Sequence, residues 1–389
     1  MLRPSPRRDD HRDTRRSREM KISLRYSTAA EPGISRVMHD GRPAYRHASG
    51  RAVRDRRTLK RITSLGIPPA WTDVWICASP DGHLQATGRD ARRRKQYLYH
   101  PVWVAERDAD KFDALGNFAS ALPRIRRAVR RDLSVPVLSK ERVLAAVVQL
   151  MDRTFVRVGG ERYRRENGSF GLTTLRNRHA KANGAVVSLD FRGKSGKRHQ
   201  VRLEDARVAR VIRRCLDLPG QVLFQYRDTD ELRSISAQDV NEYLRQVSGE
   251  VITSKDFRTW GATVCVAARL AACGPAETKA GMRRQVREAV TTAAKILGNT
   301  PAVCRRSYVD PAVFAHYEAG TTFRGRAIRG MRKAECMVAA MLAARPHRPS
   351  VPSKQPPQRI RPRREPTVAR QKSRRCRFSV LQQRDSVPS

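Results

Sequence analysis

The sequence has 389 residues, of which 80 are Lys or Arg and 37 are Asp or Glu, so its formal net charge is +43. Such a basic chain indicates a polyanionic partner, nucleic acid first, because cations that neutralise phosphates release counterions and gain affinity. A hydrophobic fraction of 39% is enough to bury a core. Because the sequence has no eighteen-residue apolar run and no apolar signal segment, we expect a cytoplasmic protein and no membrane partner.

The two ends of the chain differ in composition from the rest. Residues 1–21 hold eight Lys or Arg and four Asp or Glu without hydrophobic periodicity, and residues 345–389 hold 13 Lys or Arg, two Asp or Glu and eight Pro. Neither composition can bury a core, so both are predicted to be disordered. They carry +4 and +11 of the charge, which leaves +28 on the folded part. Binding to nucleic acid is therefore not a property of the tails alone.

A small β-rich domain is predicted over residues 22–105. Strand-like runs at 74–77 and 83–87 flank a turn at 79–82, and a helix is plausible over 54–65. A basic run from Arg89 then leads into Gln96, Tyr97 and Tyr99. Basic side chains contact the phosphate backbone, whereas Gln and Tyr can reach base edges or sugars. A basic loop before an edge strand explains the same composition equally well.

Residues 106–344 are predicted to form a mainly helical domain. Apolar residues recur at helical spacing over seven segments, 111–129, 139–156, 204–216, 236–247, 256–272, 283–297 and 330–344. The double glycine at 159–160 is expected to end the second helix and to leave Arg157 near its C-terminus, where a solvated charge is the default interpretation. Alternation over 185–203 predicts a β-hairpin with Lys194 at its tip.

The segment around Tyr308 has clear helix boundaries. Gly298 is a typical C-terminal stop, and Thr300 followed by proline predicts a short new helix that carries Tyr308. Asp310 followed by proline starts another helix in the same way. Arg258 lies at the predicted start of the 256–272 helix. A tyrosine near a helix junction with an arginine nearby suits phosphoryl chemistry, because a guanidinium binds two phosphate oxygens at once.

No metal or cofactor site is predicted. The seven cysteines form no C-x-x-C pair, and no cluster of His, Cys or carboxylate has the spacing of metal ligands. His179 and His199 are isolated histidines, which are interpreted as surface or core residues.

Taken in order, the motifs resemble those of the type IB DNA topoisomerases, in particular the poxvirus and bacterial branch, over about residues 34–317. They are Gly88-Arg-Asp-Ala-Arg-Arg-Arg-Lys-Gln-Tyr-Leu-Tyr-His-Pro101, Phe155-Val-Arg-Val-Gly159 with Tyr163, Gly171-Leu-Thr-Thr-Leu175, Phe191-Arg-Gly-Lys194, Lys255-Asp-Phe-Arg-Thr-Trp260 and Leu297-Gly-Asn-Thr-Pro301 through Tyr308. The resemblance implies an α+β fold, a monomer that clamps double-stranded DNA between a small β-rich domain and a helical catalytic domain.

The resemblance also implies a role for each matching residue. Tyr308 would attack a backbone phosphate to form a 3′-phosphotyrosyl, so that supercoils relax without ATP, metal or another cofactor. Arg157 and Arg258 would hold the non-bridging oxygens, and Lys194 would protonate the leaving 5′-oxygen. Asn299 stands where many family members have histidine, and it can donate a hydrogen bond without becoming cationic. The positions that match DNA contacts are Gln96, Tyr97, Tyr99, Tyr163 and Lys255.

Two other functions are compatible with part of this pattern. A tyrosine recombinase shares the Arg, Lys, Arg, Tyr chemistry, but it typically has His-x-x-Arg and Leu-Gly-His where this chain has Lys255-Asp-Phe-Arg258 and Leu297-Gly-Asn299. A non-catalytic DNA-packaging protein would explain the charge and the tails. It would not explain the catalytic positions occurring in order.

Overall fold

Five antiparallel strands form a sheet at the N-terminal end of the computed structural model, which describes residues 23–229, 231–321, 323, 325–327 and 329–345. The strands are β1 (Gly33–His39), β2 (Arg42–His47), β3 (Thr72–Cys77), β4 (Leu84–Arg89) and β5 (Lys95–Tyr99), in the spatial order β2-β1-β3-β4-β5. Apart from Arg345, the two predicted disordered segments lie outside the described residues.

Helix α1 (Arg56–Ser64) covers this sheet. Asp55 caps it, since its carboxylate accepts hydrogen bonds from the backbone N–H groups of Arg57 and Thr58. Ile62 is the buried residue of α1, and it packs with the strand residues Ile34 and Ile76 in a small core of its own. The sheet thus has a hydrophobic core separate from that of the helices.

Two long helices lead into the second part of the chain. Helix α2 (Pro101–Ser134) starts earlier than predicted because His100 caps it and Pro101 occupies its first turn. The predicted boundary between the domains 22–105 and 106–344 falls inside this helix. The division into these two domains stays a prediction. Helix α3 (Lys140–Thr154) is capped by Ser139. The expected end of α3 at the double glycine is wrong, because Phe155 adopts the left-handed conformation and ends the helix first.

Smaller elements follow α3. They are α4 (Glu161–Asn167), β6 (Ala180–Asn183), β7 (Val186–Arg192), β8 (Arg198–Glu204), α5 (Ala206–Leu216), β9 (Gln225–Asp228), β10 (Glu231–Ser234) and α6 (Ala237–Ser248). Strands β6, β7 and β8 form an antiparallel sheet, and the predicted hairpin is its β7–β8 pair. Strands β9 and β10 form a separate two-stranded sheet.

The C-terminal helices surround the segment that carries Tyr308. They are α7 (Asp256–Cys273), α8 (Lys279–Leu297), α9 (Pro301–Tyr308), α10 (Pro311–Glu318) and α11 (Lys333–Ala343). The caps read from the sequence are present, since Gly298 is left-handed at the end of α8 and Thr300 and Asp310 cap the next two helices. Trp260 and Phe257 of α7 pack against Phe118 of α2 in the main core. The predicted α+β class is confirmed.

Candidate active site

A left-handed residue at the end of α3 sets the position of Arg157. Phe155 has φ 55°, and its ring lies against α7, where a Cβ on Gly261 would be only 2.3 Å from it. Two residues later, the carbonyl of Arg157 accepts a hydrogen bond from Leu172 N at 3.0 Å. Gly159 and Gly171 cross so closely that a Cβ on Gly171 would lie 2.5 Å from Gly159 Cα. Arg157 is therefore held by backbone contacts on both sides.

Arg258 lies in the first turn of α7 and is only 5% exposed. Its guanidinium donates hydrogen bonds to the carbonyl of Phe155, and from Nη2 to the carbonyl of Leu297 at 2.8 Å. These carbonyls end α3 and α8, so the buried cation interacts with the negative ends of two helix dipoles. No carboxylate among the described residues forms an ion pair with Arg258 or Arg157, and both therefore keep their charge available for an anion.

Tyr308 is the last residue of α9 and lies beside Arg258. The Cζ atom of Arg258 is 5.1 Å from the centroid of the Tyr308 ring. The backbone on either side of the tyrosine lies against Thr263 of α7. The hydroxyl of Thr263 accepts from the N–H of Asp310 at 3.2 Å, and its single proton is shared between the carbonyls of Thr259, at 2.8 Å, and Tyr308, at 3.2 Å. The half-buried phenol is thus held at the end of its helix.

Asn299 connects this tyrosine segment with Arg157. Nη2 of Arg157 donates a hydrogen bond to Oδ1 of Asn299 at 2.7 Å. The other end of the amide, Nδ2, is buried without a hydrogen-bond partner in the described structure, and so is Nε of Arg258. Buried donors of this kind are costly unless a ligand accepts from them. Both belong to the group that surrounds Tyr308.

The electrostatics of this group favour an anion and an ionised phenol. Burial, together with the charge of Arg157, lowers the pKa of Arg258 to about 10. Burial by itself would raise the pKa of Tyr308, but the charges of Arg258 and Arg157 and their hydrogen bonding outweigh it and lower that pKa. The pair of cations thus favours the ionised form of the phenol, which is the form in which its oxygen is nucleophilic.

Lys194 is not in contact with this cluster. It lies at the tip of the β7–β8 hairpin, is exposed, and forms no hydrogen bond or ion pair within the described residues. The next residue, Ser195, has a positive φ of 64°, which turns the chain between Gly193 and Gly196. The structure therefore brings together Tyr308, Arg157, Arg258 and Asn299 of the predicted site, with Lys194 on a separate projection.

Two family models and several known proteins match large parts of this chain. Residues 93–324 match the family model of the eukaryotic DNA topoisomerase I catalytic core, and residues 44–90 match that of the bacterial DNA topoisomerase IB N-terminal domain. DNA topoisomerase 1B of Acanthamoeba polyphaga mimivirus is 34% identical over 261 residues, which cover 65% of this chain and 78% of that protein.

The chain belongs to the type IB DNA topoisomerases. More distant relatives are DNA topoisomerase 1B of vaccinia virus (strain Copenhagen), 22% identical over 57% of this chain and 68% of that protein, and DNA topoisomerase 1 of rabbit fibroma virus (strain Kasza), 23% identical over 67% and 81%. The resemblance to this family expected from the motifs is thereby confirmed. This topoisomerase is accordingly an isomerase, and all members of the cluster around Tyr308 lie within the match to the catalytic core.

The topoisomerase carries its predicted DNA-contact residues in three places. Tyr97 and Tyr99 project from the same exposed face of β5, with their rings stacked at 6.2 Å. Gln96 projects from the other face and donates to Asp90 Oδ2 at 2.8 Å. Tyr163 lies half-buried on α4, close enough to Arg94 to interact electrostatically, and Lys255 is exposed at the start of α7.

His199 of the topoisomerase, interpreted from the sequence as an isolated surface or core residue, lies beside the cluster around Tyr308. A Cβ on Gly298 would be 2.7 Å from its Cε1 atom, and Arg157 and Arg258 lie close enough to influence its ionisation. The sequence contains one weak signal for this position. His199 alternates with Val201 and Leu203 on the inward face of β8, which distinguishes it from a solvated histidine.

Two further observations concern partners. Among the residues that the structure describes, no three His, Cys, Asp or Glu side chains converge as metal ligands. In the same part of the topoisomerase, no helix has both the length and the apolar character needed to cross a membrane.

Proposed function

We propose that this topoisomerase relaxes positive and negative supercoils in double-stranded DNA by cutting one strand through a 3′-phosphotyrosyl bond to Tyr308, without ATP or metal. One observation carries the proposal. Two guanidiniums without carboxylate partners flank a tyrosine whose pKa they lower, beside an amide nitrogen with no protein partner. Such a set of donors fits a phosphodiester, whose non-bridging oxygens gain negative charge as the bond to the nucleophile forms.

In the proposed cleavage step, Tyr308 loses its proton to solvent and its Oη attacks the phosphorus atom. Arg157, Arg258 and Asn299 would donate hydrogen bonds to the two non-bridging oxygens in the pentacoordinate transition state. Each such donor typically contributes about 3 kcal/mol when it is preorganised, as these three are by their backbone and side-chain contacts. The bond from phosphorus to O5′ breaks, and the 3′-phosphate remains on Tyr308.

The leaving O5′ needs a proton, and Lys194 is proposed to supply it. An ammonium on a narrow hairpin can approach the backbone of DNA from outside, and a positioned general acid typically contributes on the order of 10² to 10⁴ in rate. Resealing reverses both transfers, because the 5′-hydroxyl attacks the phosphotyrosyl and returns its proton to Lys194. Since one phosphoester replaces another in each direction, no external energy source is required.

The DNA is proposed to lie between the exposed face of β5 and the helical core. The protein is proposed to act on it as a monomer associated with the nucleoid. Tyr97 and Tyr99 present stacked, exposed rings next to the arginine-rich turn between β4 and β5. Arg162 of α4 is near enough to Tyr97 for their charges to interact. Tyr163, Lys255 and Gln96 complete the proposed contact surface, with Gln96 also holding Asp90 of the turn.

The proposal is tested by relaxation of positively and negatively supercoiled plasmid in EDTA without ATP, comparing the unmodified protein with Tyr308→Phe. The unmodified protein should relax both substrates and the variant neither, while Tyr26→Phe, at an exposed tyrosine of the N-terminal part, should retain activity. Denaturing the reaction should leave protein attached to strands labelled at their 5′ end and not to those labelled at their 3′ end. Relaxation by Tyr308→Phe, or the opposite polarity of attachment, would reject the proposal.

A further inference from the structure

His199 fills a narrow space between two segments that are far apart in the sequence. On one side, a Cβ on Gly193 would lie 2.5 Å from its Cδ2 atom, and on the other, a Cβ on Gly298 would lie 2.7 Å from its Cε1 atom. Side-chain atoms essentially never come so close, so the imidazole occupies the room that both glycines leave open. His199 therefore touches the base of the hairpin tip and the turn before Asn299.

The ring is fixed in that space by its neighbour on the hairpin. His199 pairs with Phe191 across the β7–β8 ladder, and their rings stack at 5.2 Å with an interplanar angle of 12°. Phe191 belongs to the main core and is 4% exposed. Stacked aromatic pairs add about 0.5–1.5 kcal/mol to the burial of their surfaces. The imidazole is thus a rigid spacer and not a mobile surface group.

The charge state of His199 suits this role. Burial lowers its pKa, and the nearby cations Arg157, Arg258 and Lys197 lower it further. The imidazole is therefore neutral near pH 7, so it adds no third positive charge to the site and does not compete for the phosphate. Contact and neutrality together make it a connector between the hairpin and the catalytic cluster.

We propose that His199 is a positioning residue that couples the hairpin to the Leu297-Gly298-Asn299 turn, so that Lys194 is held at the leaving oxygen while Asn299 and Tyr308 hold the phosphate. The inference rests on the proposed function of Lys194 as general acid. Its physical basis is that Lys194 forms no hydrogen bond or ion pair of its own within the described residues, whereas His199, close to the tip of the same hairpin, contacts Gly298 directly. Removing the ring would leave the hairpin tip without that contact.

A substrate with sulfur in place of the bridging O5′ separates positioning of the acid from other defects, because a thiolate leaves without being protonated. On ordinary DNA, we expect His199→Ala to slow single-turnover cleavage on the order of tenfold to a hundredfold, part of what a general acid contributes. On the sulfur substrate, its rate should return close to that of the unmodified protein. His199→Phe, which keeps a planar ring, should retain most of the rate on ordinary DNA.

The controls distinguish the inference from the proposed function. Lys194→Ala should show the same recovery on the sulfur substrate, and its failure to recover would reject Lys194 as the acid and the inference with it. If Lys194→Ala recovers and His199→Ala does not, the positioning role of His199 is overturned while the proposed function stands. Normal cleavage of ordinary DNA by His199→Ala would overturn it as well.

Two further variants serve as controls, one for the removal of a histidine elsewhere in the protein and one for misfolding of His199→Ala. His179, which also packs on a phenylalanine, has its ring 4.5 Å from that of Phe170, and His179→Ala should cleave both substrates normally. Should His199→Ala fail to fold, His199→Gln replaces it, with the same slow cleavage of ordinary DNA and the same recovery expected. A slow His199→Gln that does not recover on sulfur would overturn the inference.

Discussion

Arg157 donates a hydrogen bond to Oδ1 of Asn299 at 2.7 Å and thereby fixes the orientation of the amide, whose Nδ2 is left buried without a protein partner. An asparagine in this orientation connects a cation with a free donor. The amide cannot become cationic, so it stabilises negative charge through its dipole only. This hydrogen bond also fixes the position of Asn299, which follows α8, relative to Arg157, which follows α3.

We predict that Asn299→Ala slows single-turnover cleavage and leaves DNA affinity nearly unchanged, because one donor of several is lost. Asn299→Asp should be slower still. It has the same shape but replaces Nδ2 with an oxygen that repels the phosphate and pairs with Arg157. Removal of one preorganised donor typically costs 10² to 10³ in rate. Rapid-quench cleavage and a binding titration measure the two quantities, and an aspartate variant as fast as the alanine variant would contradict the assignment.

The lowered pKa of Tyr308 predicts the pH dependence of cleavage. The phenol must lose its proton to attack, so the rate should rise with pH and level off below the pKa of a free tyrosine, which is about 10. Arg157 supplies part of the charge that lowers this pKa. In Arg157→Ala the plateau should therefore move to higher pH, besides the loss of rate.

This measurement uses the substrate with bridging sulfur, so that protonation by Lys194 does not contribute to the profile. Arg306, an exposed arginine on the same helix as Tyr308, provides the matched control. Arg306→Ala should leave the pH of the plateau where it is. An unchanged plateau in Arg157→Ala would show that its charge does not act on the phenol.

Helix ends explain why the tyrosine segment could be predicted from the sequence. Thr300 and Asp310 are side-chain caps followed by proline, and Gly298 is a glycine stop, so each boundary depends on one or two adjacent residues. The end of α3 could not be read in this way. A left-handed phenylalanine is disfavoured by its own sterics, and Phe155 adopts that conformation only because Arg258 and α7 hold it.

The position of His199 beside the cluster around Tyr308 could not be predicted from the sequence for a related reason. Gly193 and Gly298 each look like an ordinary turn glycine, and only the fold brings them to opposite sides of one imidazole. Local patterns specify elements and caps, whereas contacts between segments a hundred residues apart depend on packing. The family motifs could point to the residues proposed to hold the phosphate because those residues lie inside the motifs.

Thr263 is predicted to stabilise the backbone on both sides of Tyr308. Its buried hydroxyl contacts the carbonyls of Thr259 and Tyr308 and accepts from the N–H of Asp310. Thr263→Val has the same shape but leaves that N–H unpaired, which should cost about 1–3 kcal/mol of unfolding free energy and slow cleavage. Thr263→Ser keeps the hydroxyl and should restore cleavage. Denaturant unfolding and single-turnover rates test this, and a serine variant as slow as valine would reject the role.

A buried charge network fixes α11 against α2 and α3. Arg126 bonds to Asp152 at 2.8 Å and to Glu335 at 2.7 Å, and the side chain of Glu335 is 2% exposed. We predict that Glu335→Gln costs about 3–5 kcal/mol of unfolding free energy, because it removes one of the two carboxylates that pair with the buried guanidinium of Arg126. Glu242→Gln should change little, because Glu242 and its partner Arg245 are half exposed.

This network also predicts a pH dependence of stability. Burial would raise the pKa of Glu335, but the hydrogen bonds and charge of Arg126 outweigh burial and lower it. The unfolded state then binds more protons than the folded state, so the stabilisation is complete above the unfolded pKa of about 4.3 and is lost as the pH falls through the folded pKa. Urea unfolding at neutral and acidic pH should show this loss, and in Glu335→Gln the loss should be smaller. An equal loss in both proteins would assign it to other carboxylates.

The C-terminal residues beyond Arg345 are predicted to add DNA affinity that is independent of sequence. Arg345 itself pairs with the buried carboxylate of Asp310 at the cap of α10, so truncation after position 345 keeps this contact and removes only residues 346–389. Those residues carry 12 Lys or Arg, and each cation that neutralises a phosphate contributes about 0.9 to the slope of log affinity against log salt. Binding titrations over a salt series should give a shallower slope for the truncated protein, with relaxation at low salt retained. Identical slopes for the full-length and truncated proteins would show that residues 346–389 make no phosphate contacts. A truncation that also removes Arg345 should in addition lower the unfolding temperature.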